Sequence, residues 1–82
     1  MEKKISVKGI KKMLINEMYI FIRYDMRDDN FYLVEWDENF QYEKVIQEIS
    51  EEEWDTIREE YPLIDVRKER HLGNGKWCFY WK

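Results

Sequence analysis

Residues 18–36, MYIFIRYDMRDDNFYLVEW, form the stretch that decides the fold of this chain. Apolar side chains recur at every second position in both halves, and the polar run at residues 27–30 separates the halves. Period-two apolar residues on either side of a polar turn are typical of a half-buried β-hairpin. The pattern therefore predicts strands over residues 18–25 and 31–37. Their main apolar positions are Met18, Ile20, Ile22, Tyr24, Tyr32, Val34 and Trp36.

The remaining positions of this hairpin are apolar as well. They are Tyr19, Phe21, Phe31 and Leu33. A second apolar face needs a cover, so we expect the N-terminal segment or a partner to lie over it. A homodimer formed through these four residues is one such arrangement.

Residues 50–53 predict the start of the main helix. The Ser50 hydroxyl can accept a hydrogen bond from the Glu53 amide while the Glu53 carboxylate reaches back, as in a capping box. The helix is expected over residues 51–61, with Trp54, Ile57 and Tyr61 facing inward, and Pro62 ends it. Residues 42–48 fit two structures, because their apolar spacing suits a helix but a helix start follows at once. We predict a third strand there.

The two ends of the chain complete the predicted fold. Residues 5–17 suit a short helix with Ser6 as N-cap, although a short strand is an alternative. Residues 63–82 suit a hairpin around Gly73-Asn74-Gly75. If Asn74-Gly75 is the turn, Arg70 faces Phe79, and His71 lies opposite Cys78; a three-residue loop would shift this register.

These elements predict one α+β domain over residues 1–82. It consists of a three-strand antiparallel meander, the helix packed across it, and a C-terminal hairpin that extends or flanks the small sheet. A chain of this length has a small core, which the 17% aromatic content can fill with a few large rings.

The charges alternate along the chain. Residues 1–24 carry a net +4, residues 25–65 a net −12 and residues 66–82 a net +4, which sum to the formal −4. Either the basic ends neutralise the acidic middle in the folded domain, or folding separates them into an acidic and a basic face.

Chemically reactive groups are few. The best nucleophile arrangement is Cys78 beside His71, and a structural role for that pair is more common than catalysis. Asp25, Asp28 and Asp29 lack the spacing of a calcium loop, and zinc spacings are absent. The sequence thus predicts a protein that is not an enzyme and has no metal or cofactor. The short apolar runs predict no membrane span and a cytoplasmic location.

Two binding functions fit the remaining features. The first is a small acidic regulator that contacts a larger basic protein through an acidic face. Its residues are Glu43, Glu48, Glu51, Glu52, Asp55 and Glu59. The alternative is nucleic-acid binding through the C-terminal hairpin, where basic and stacking side chains interleave. Its residues are Arg67, Lys68, Arg70, Lys76, Trp77 and Trp81.

Overall fold

A computed structural model describes residues 4–64 and 67–82, excluding the side chains of Arg67 and Lys68. The elements run in the order α1 (Val7–Asn16), β1 (Ile20–Asp25), β2 (Asn30–Trp36), β3 (Glu43–Ile49), α2 (Glu51–Glu60), β4 (Arg67–Gly73) and β5 (Lys76–Trp81). The strands form one antiparallel sheet in the order β3-β2-β1-β5-β4. The predicted α+β class, with its meander and C-terminal hairpin, is confirmed.

Both helices begin at the predicted caps. The Ser6 hydroxyl accepts from the Gly9 amide at 3.2 Å, and α1 buries Ile10 and Leu14. At α2, the Ser50 hydroxyl accepts from the Glu53 amide at 3.2 Å, while the Glu53 carboxylate accepts from the Ser50 amide at 3.0 Å. The capping box satisfies two amides that the first helical turn leaves without partners.

The strand prediction for residues 42–48 is confirmed by β3, and the helical alternative is wrong. The backbone of β3 pairs with β2 from Phe31↔Ile49 to Trp36↔Glu43. The register shifts between Leu33 and Val34, so that Ile46 is an extra residue in this edge strand. This bulge interrupts the period-two alternation of the strand, which explains why its apolar residues have a spacing like that of a helix.

The register of the first hairpin places its apolar residues on two faces. Ile22 pairs with Leu33, and Phe21 pairs with Val34. The grouping of Tyr19, Phe21, Phe31 and Leu33 on one face is therefore wrong, because Phe31 and Leu33 lie on the side opposite Phe21. Phe21 and Leu33 are also buried.

Each face of the sheet has its own apolar core. The helix-side core consists of Ile10, Leu14, Ile20, Ile22, Leu33, Ile49 and Ile57. The opposite core consists of Phe21, Val34, Trp36, Cys78 and Tyr80. The loop between β2 and β3 helps to cover this second core, since the Phe40 ring lies 5.4 Å from Tyr19 and 6.1 Å from Phe21 and Trp36.

The last hairpin has the predicted turn but a different register. Asn74 and Gly75 have φ of 52° and 74°, and Gly73 pairs with Lys76, as a two-residue turn requires. A bulge at Leu72 then places His71 opposite Trp77 and Arg70 opposite Cys78. The predicted pairings of Arg70 with Phe79 and of His71 with Cys78 are wrong, because Leu72 is an extra residue between His71 and Gly73 and packs against the second core.

Neither helix in the described part of the chain is long and apolar enough to cross a membrane.

Candidate functional site

Five aromatic rings meet on the helix side of the sheet, where the cover of the helices ends. They form a closed circuit of neighbours that we call the aromatic platform: Tyr24, Phe31, Trp54, Trp81 and Phe79. Successive ring centroids are separated by 4.9, 4.5, 5.2, 6.1 and 6.3 Å. All five residues keep part of their surface in contact with solvent. Aromatic side chains are enriched in protein interfaces, and Trp and Tyr are among the residues that contribute most to binding energy there.

Strand pairing explains why rings from distant parts of the chain meet. Phe79 pairs with Tyr24 across the β5–β1 junction, and Tyr24 pairs with Phe31 across the first hairpin. Trp54 descends from α2 onto this row, with its indole stacked on Phe31 at an interplanar angle of 17°. The platform is therefore fixed by three strands and a helix.

The first depression beside the platform is acidic. It encloses about 500 Å³ between α2, the end of β3 and the β1–β2 turn. Its lining includes the carboxylates of Asp29, Glu48, Glu51 and Asp55 and the guanidinium of Arg58. We call it the acidic depression.

The second depression is mainly apolar. It encloses about 470 Å³, and Trp54, Pro62, Leu63 and Trp81 line it together with Arg58 and Glu59. We call it the apolar depression. Trp54 and Arg58 line both depressions and so form the ridge between them.

The cation on this ridge is loosely held. Arg58 Nε lies 3.6 Å from Asp55 Oδ1, and 61% and 56% of the two side chains are exposed. Exposed pairs of this kind contribute about 0–1 kcal/mol. A competing cation could therefore replace Arg58 beside Asp55 at little cost.

The other flank of α2 is neutralised by two lysines of the N-terminal segment, one before α1 and one within it. Lys4 Nζ lies 3.1 Å from Glu53 Oε1, and Lys11 pairs with Glu60. On the side of the two depressions, Glu51 and Glu59 have no ion-pair partner among the described residues. Folding thus neutralises part of the acidic segment and leaves negative charge beside the platform.

The six predicted acidic-face residues divide among four places. Glu48, Glu51 and Asp55 lie in the acidic depression, and Glu59 lies in the apolar depression. Glu52 is exposed on α2 and lines neither depression.

Glu43 belongs to a different environment on the opposite face of the sheet. Its Oε2 lies 2.7 Å from Arg23 Nη1, and the two side chains are only 13% and 14% exposed. Arg23 also lies over the Tyr32 ring at 4.8 Å, and its Nη2 is 4.0 Å from Asp25 Oδ2. Arg23 Nε and Glu43 Oε1 have no hydrogen-bond partner within the described residues.

Sequence reasoning missed this buried charged layer. Asp25 accepts hydrogen bonds from the side chain and amide of Arg27, and these bonds hold the pKa of Asp25 below its ordinary value although burial opposes them. The available signal was Arg23 itself, a charged residue in the middle of a mainly apolar strand and close to an aspartate-rich turn.

The turn aspartates also have protein partners. The phenol of Tyr24 donates to Asp29 and that of Tyr32 donates to Asp28, and these bonds raise the pKa of both phenols. Within residues 4–64 and 67–82, no group of three or more His, Cys, Asp or Glu is arranged to hold a metal ion.

The residues of the predicted basic and aromatic ribbon are separated by the strand alternation. Trp81 belongs to the platform, and Trp77 lies against His71 with ring centroids 4.7 Å apart. Lys76 and Arg70 occupy the positions of the opposite face, which they share with Cys78. The side chains of Arg67 and Lys68 lie outside the described residues.

Comparison with protein-family models, with curated proteins and with solved structures finds no match for this chain. Its function is therefore inferred from the site alone.

Proposed function

We propose that this protein is a non-enzymatic binding module of the cytoplasm that contacts a larger, basic protein. The contact is made by the aromatic platform and the two depressions beside it. The observation that carries the proposal is the lining of the acidic depression, in which four acidic residues and a single arginine lie next to partly exposed rings.

The carboxylates and the aromatic rings contribute to such a contact in different ways. Exposed carboxylates attract a basic partner during encounter and select against acidic ones, but they add modest affinity because water screens them. The partly exposed rings supply apolar area, at about 25 cal/mol for each Å² removed from water. Binding should therefore weaken with salt without disappearing.

Nucleic-acid binding is the second candidate from the sequence, and the geometry favours it less. A single strand needs cations beside its stacking rings. Here Trp81 lies next to the acidic helix, while Arg70 and Lys76 occupy the other face of the ribbon. Phosphates approaching the platform would meet Glu51 and Asp55.

The test uses a defined probe, a lysine-rich peptide with a poly-glutamate peptide and a single-stranded oligonucleotide as comparisons. Tryptophan fluorescence follows binding, because Trp54 and Trp81 lie in the site. We expect only the basic peptide to bind. Its affinity should fall between about 0.1 M and 1 M salt, because the Debye length shortens and the charges are screened.

A pair of matched variants locates the contact. Glu51→Lys with Asp55→Lys should weaken binding of the basic peptide by about tenfold or more, which is about 1.4 kcal/mol. Glu38→Lys with Glu52→Lys makes the same change in net charge, and in each pair one substitution falls in the first turn of α2. If both pairs of substitutions lose the same affinity for the basic peptide, the acidic depression is not the contact. If the protein binds the oligonucleotide in preference to the peptides, the second candidate is favoured.

A further inference from the structure

The two depressions differ in chemistry and share one ridge. We infer that the partner's contact segment carries two anchors, a lysine or arginine for the acidic depression and a large apolar side chain for the apolar depression. This inference rests on the proposed function and specifies its partner.

The acidic depression suits a cation with an aliphatic stem. Glu51 and Asp55 offer carboxylates at the rim, while Tyr24, Phe31 and Trp54 form an aromatic wall. A lysine or arginine can lay its methylene groups along the rings and keep its charge beside the carboxylates. An acidic side chain would be repelled by these carboxylates. A purely apolar side chain would remove them from water without offering a counter-charge.

The apolar depression suits a ring or a branched aliphatic group. Pro62, Leu63, Trp54 and Trp81 supply its walls, and Leu63 also packs against the helix-side core. Pro62 has its φ fixed by its ring, which limits the backbone freedom of this part of the pocket wall. Anchor residues in protein interfaces usually bind in apolar pockets of this kind.

The ridge sets the spacing of the two anchors. Trp54 and Arg58 are the two residues that line both depressions. A single row of side chains therefore separates the depressions. Side chains at positions i and i+2 on one side of an extended segment are about 7 Å apart. An extended segment with a basic residue and an apolar residue two positions apart can therefore straddle the ridge.

Four short peptides on a glycine-serine background test the inference. The first has lysine followed two positions later by phenylalanine, the second has lysine alone, the third has phenylalanine alone, and the fourth places lysine and phenylalanine adjacent. Amide chemical shifts report weak binding residue by residue. We expect the first peptide to bind about five- to tenfold tighter than the lysine peptide, because part of one ring is buried.

Protein variants then assign each anchor to its depression. Glu51→Gln should weaken the first and second peptides by the same factor, whereas Leu63→Ala should weaken the first and leave the second unchanged. Glu52→Gln is the matched control and should change none. Because the comparison among peptides uses the unmodified protein, the test does not depend on the folding of Leu63→Ala.

The outcomes separate the two levels of the proposal. If the lysine peptide binds and phenylalanine adds nothing, or if the adjacent arrangement binds as tightly as the spaced one, the two-anchor inference fails while the proposed function stands. If no lysine-containing peptide binds at low salt, both fail.

Discussion

Replacing Glu43 by Gln tests the buried charged layer on the face of the sheet opposite the helices. The change preserves the size of the side chain and removes its charge from a contact of 2.7 Å with Arg23. Among the described residues, the carboxylate that remains within 4.0 Å of Arg23 would be that of Asp25, which Arg27 already binds. A guanidinium that is 14% exposed would thus lose its main counter-charge.

The expected cost is large for a domain of this size. Breaking a fully buried ion pair by removing one partner costs about 3–5 kcal/mol. Because both side chains retain some exposure and Asp25 remains nearby, we expect about 2–3 kcal/mol here. Domains of this length are stable by about 4–12 kcal/mol in total, so the variant should lose a substantial fraction of its free energy of unfolding.

Guanidinium chloride unfolding followed by tryptophan fluorescence measures the effect. Glu43→Gln should lower the transition midpoint with little change in slope. The double variant Arg23→Met with Glu43→Met should recover most of the loss, because it leaves neither charge buried alone. If each single substitution costs less than about 1 kcal/mol and the double variant is additive, the pair is not coupled and the reasoning is refuted.

Three further predictions concern local features of the fold. Ser50→Ala should cost about 1 kcal/mol by removing half of the capping box, and it should lower the thermal midpoint by about 4–8 °C, whereas Thr56→Ala on the same helix should change it little. Asp25 has a lowered native pKa, so its contribution to stability is present above the ordinary value of about 3.9 and is lost as pH falls through the lower native value. Asp25→Asn should therefore flatten the acid limb of the stability–pH profile, measured by denaturant unfolding at several pH values. Gly75→Ala should cost about 1 kcal/mol because the turn holds this residue at a φ of 74°, and thermal unfolding would detect it.

Local signals made most of the fold predictable. The capping box identified α2, the polar run identified the first turn, and the Asn74-Gly75 pair identified the last turn, since each depends on residues adjacent in sequence. Side-chain and backbone groups a few residues apart satisfy these motifs without any distant partner.

The errors arose where one extra residue changes the pairing between strands. Leu72 forms a bulge because its side chain reaches the second core, and this shift moved Arg70 away from Phe79 and His71 away from Cys78. Such a shift depends on packing between distant strands, and the turn sequence does not encode it. The error in the first hairpin arose from its turn instead, because Asp25 pairs with Asn30 and this register places Ile22 opposite Leu33 and Phe21 opposite Val34.

The site was predictable only in part for a related reason. Acidic residues on α2 were identified from sequence, because one helix brings them together. Trp81 and Phe79 lie close to this helix only because β5 pairs with β1. No local pattern in the sequence indicates that pairing. Glu43 was separated from the other acidic residues by its pairing with Arg23, a contact that spans β2.

The bulge at Ile46 in the outer strand β3 bears on how this protein recognises other molecules. An irregular edge interrupts the even ladder of amide and carbonyl groups that a foreign strand would need as a template. Strand addition along β3, and with it growth into stacked assemblies, is thereby disfavoured. At this edge, contacts with a partner are therefore left to side chains, which select for the partner's charged and apolar residues.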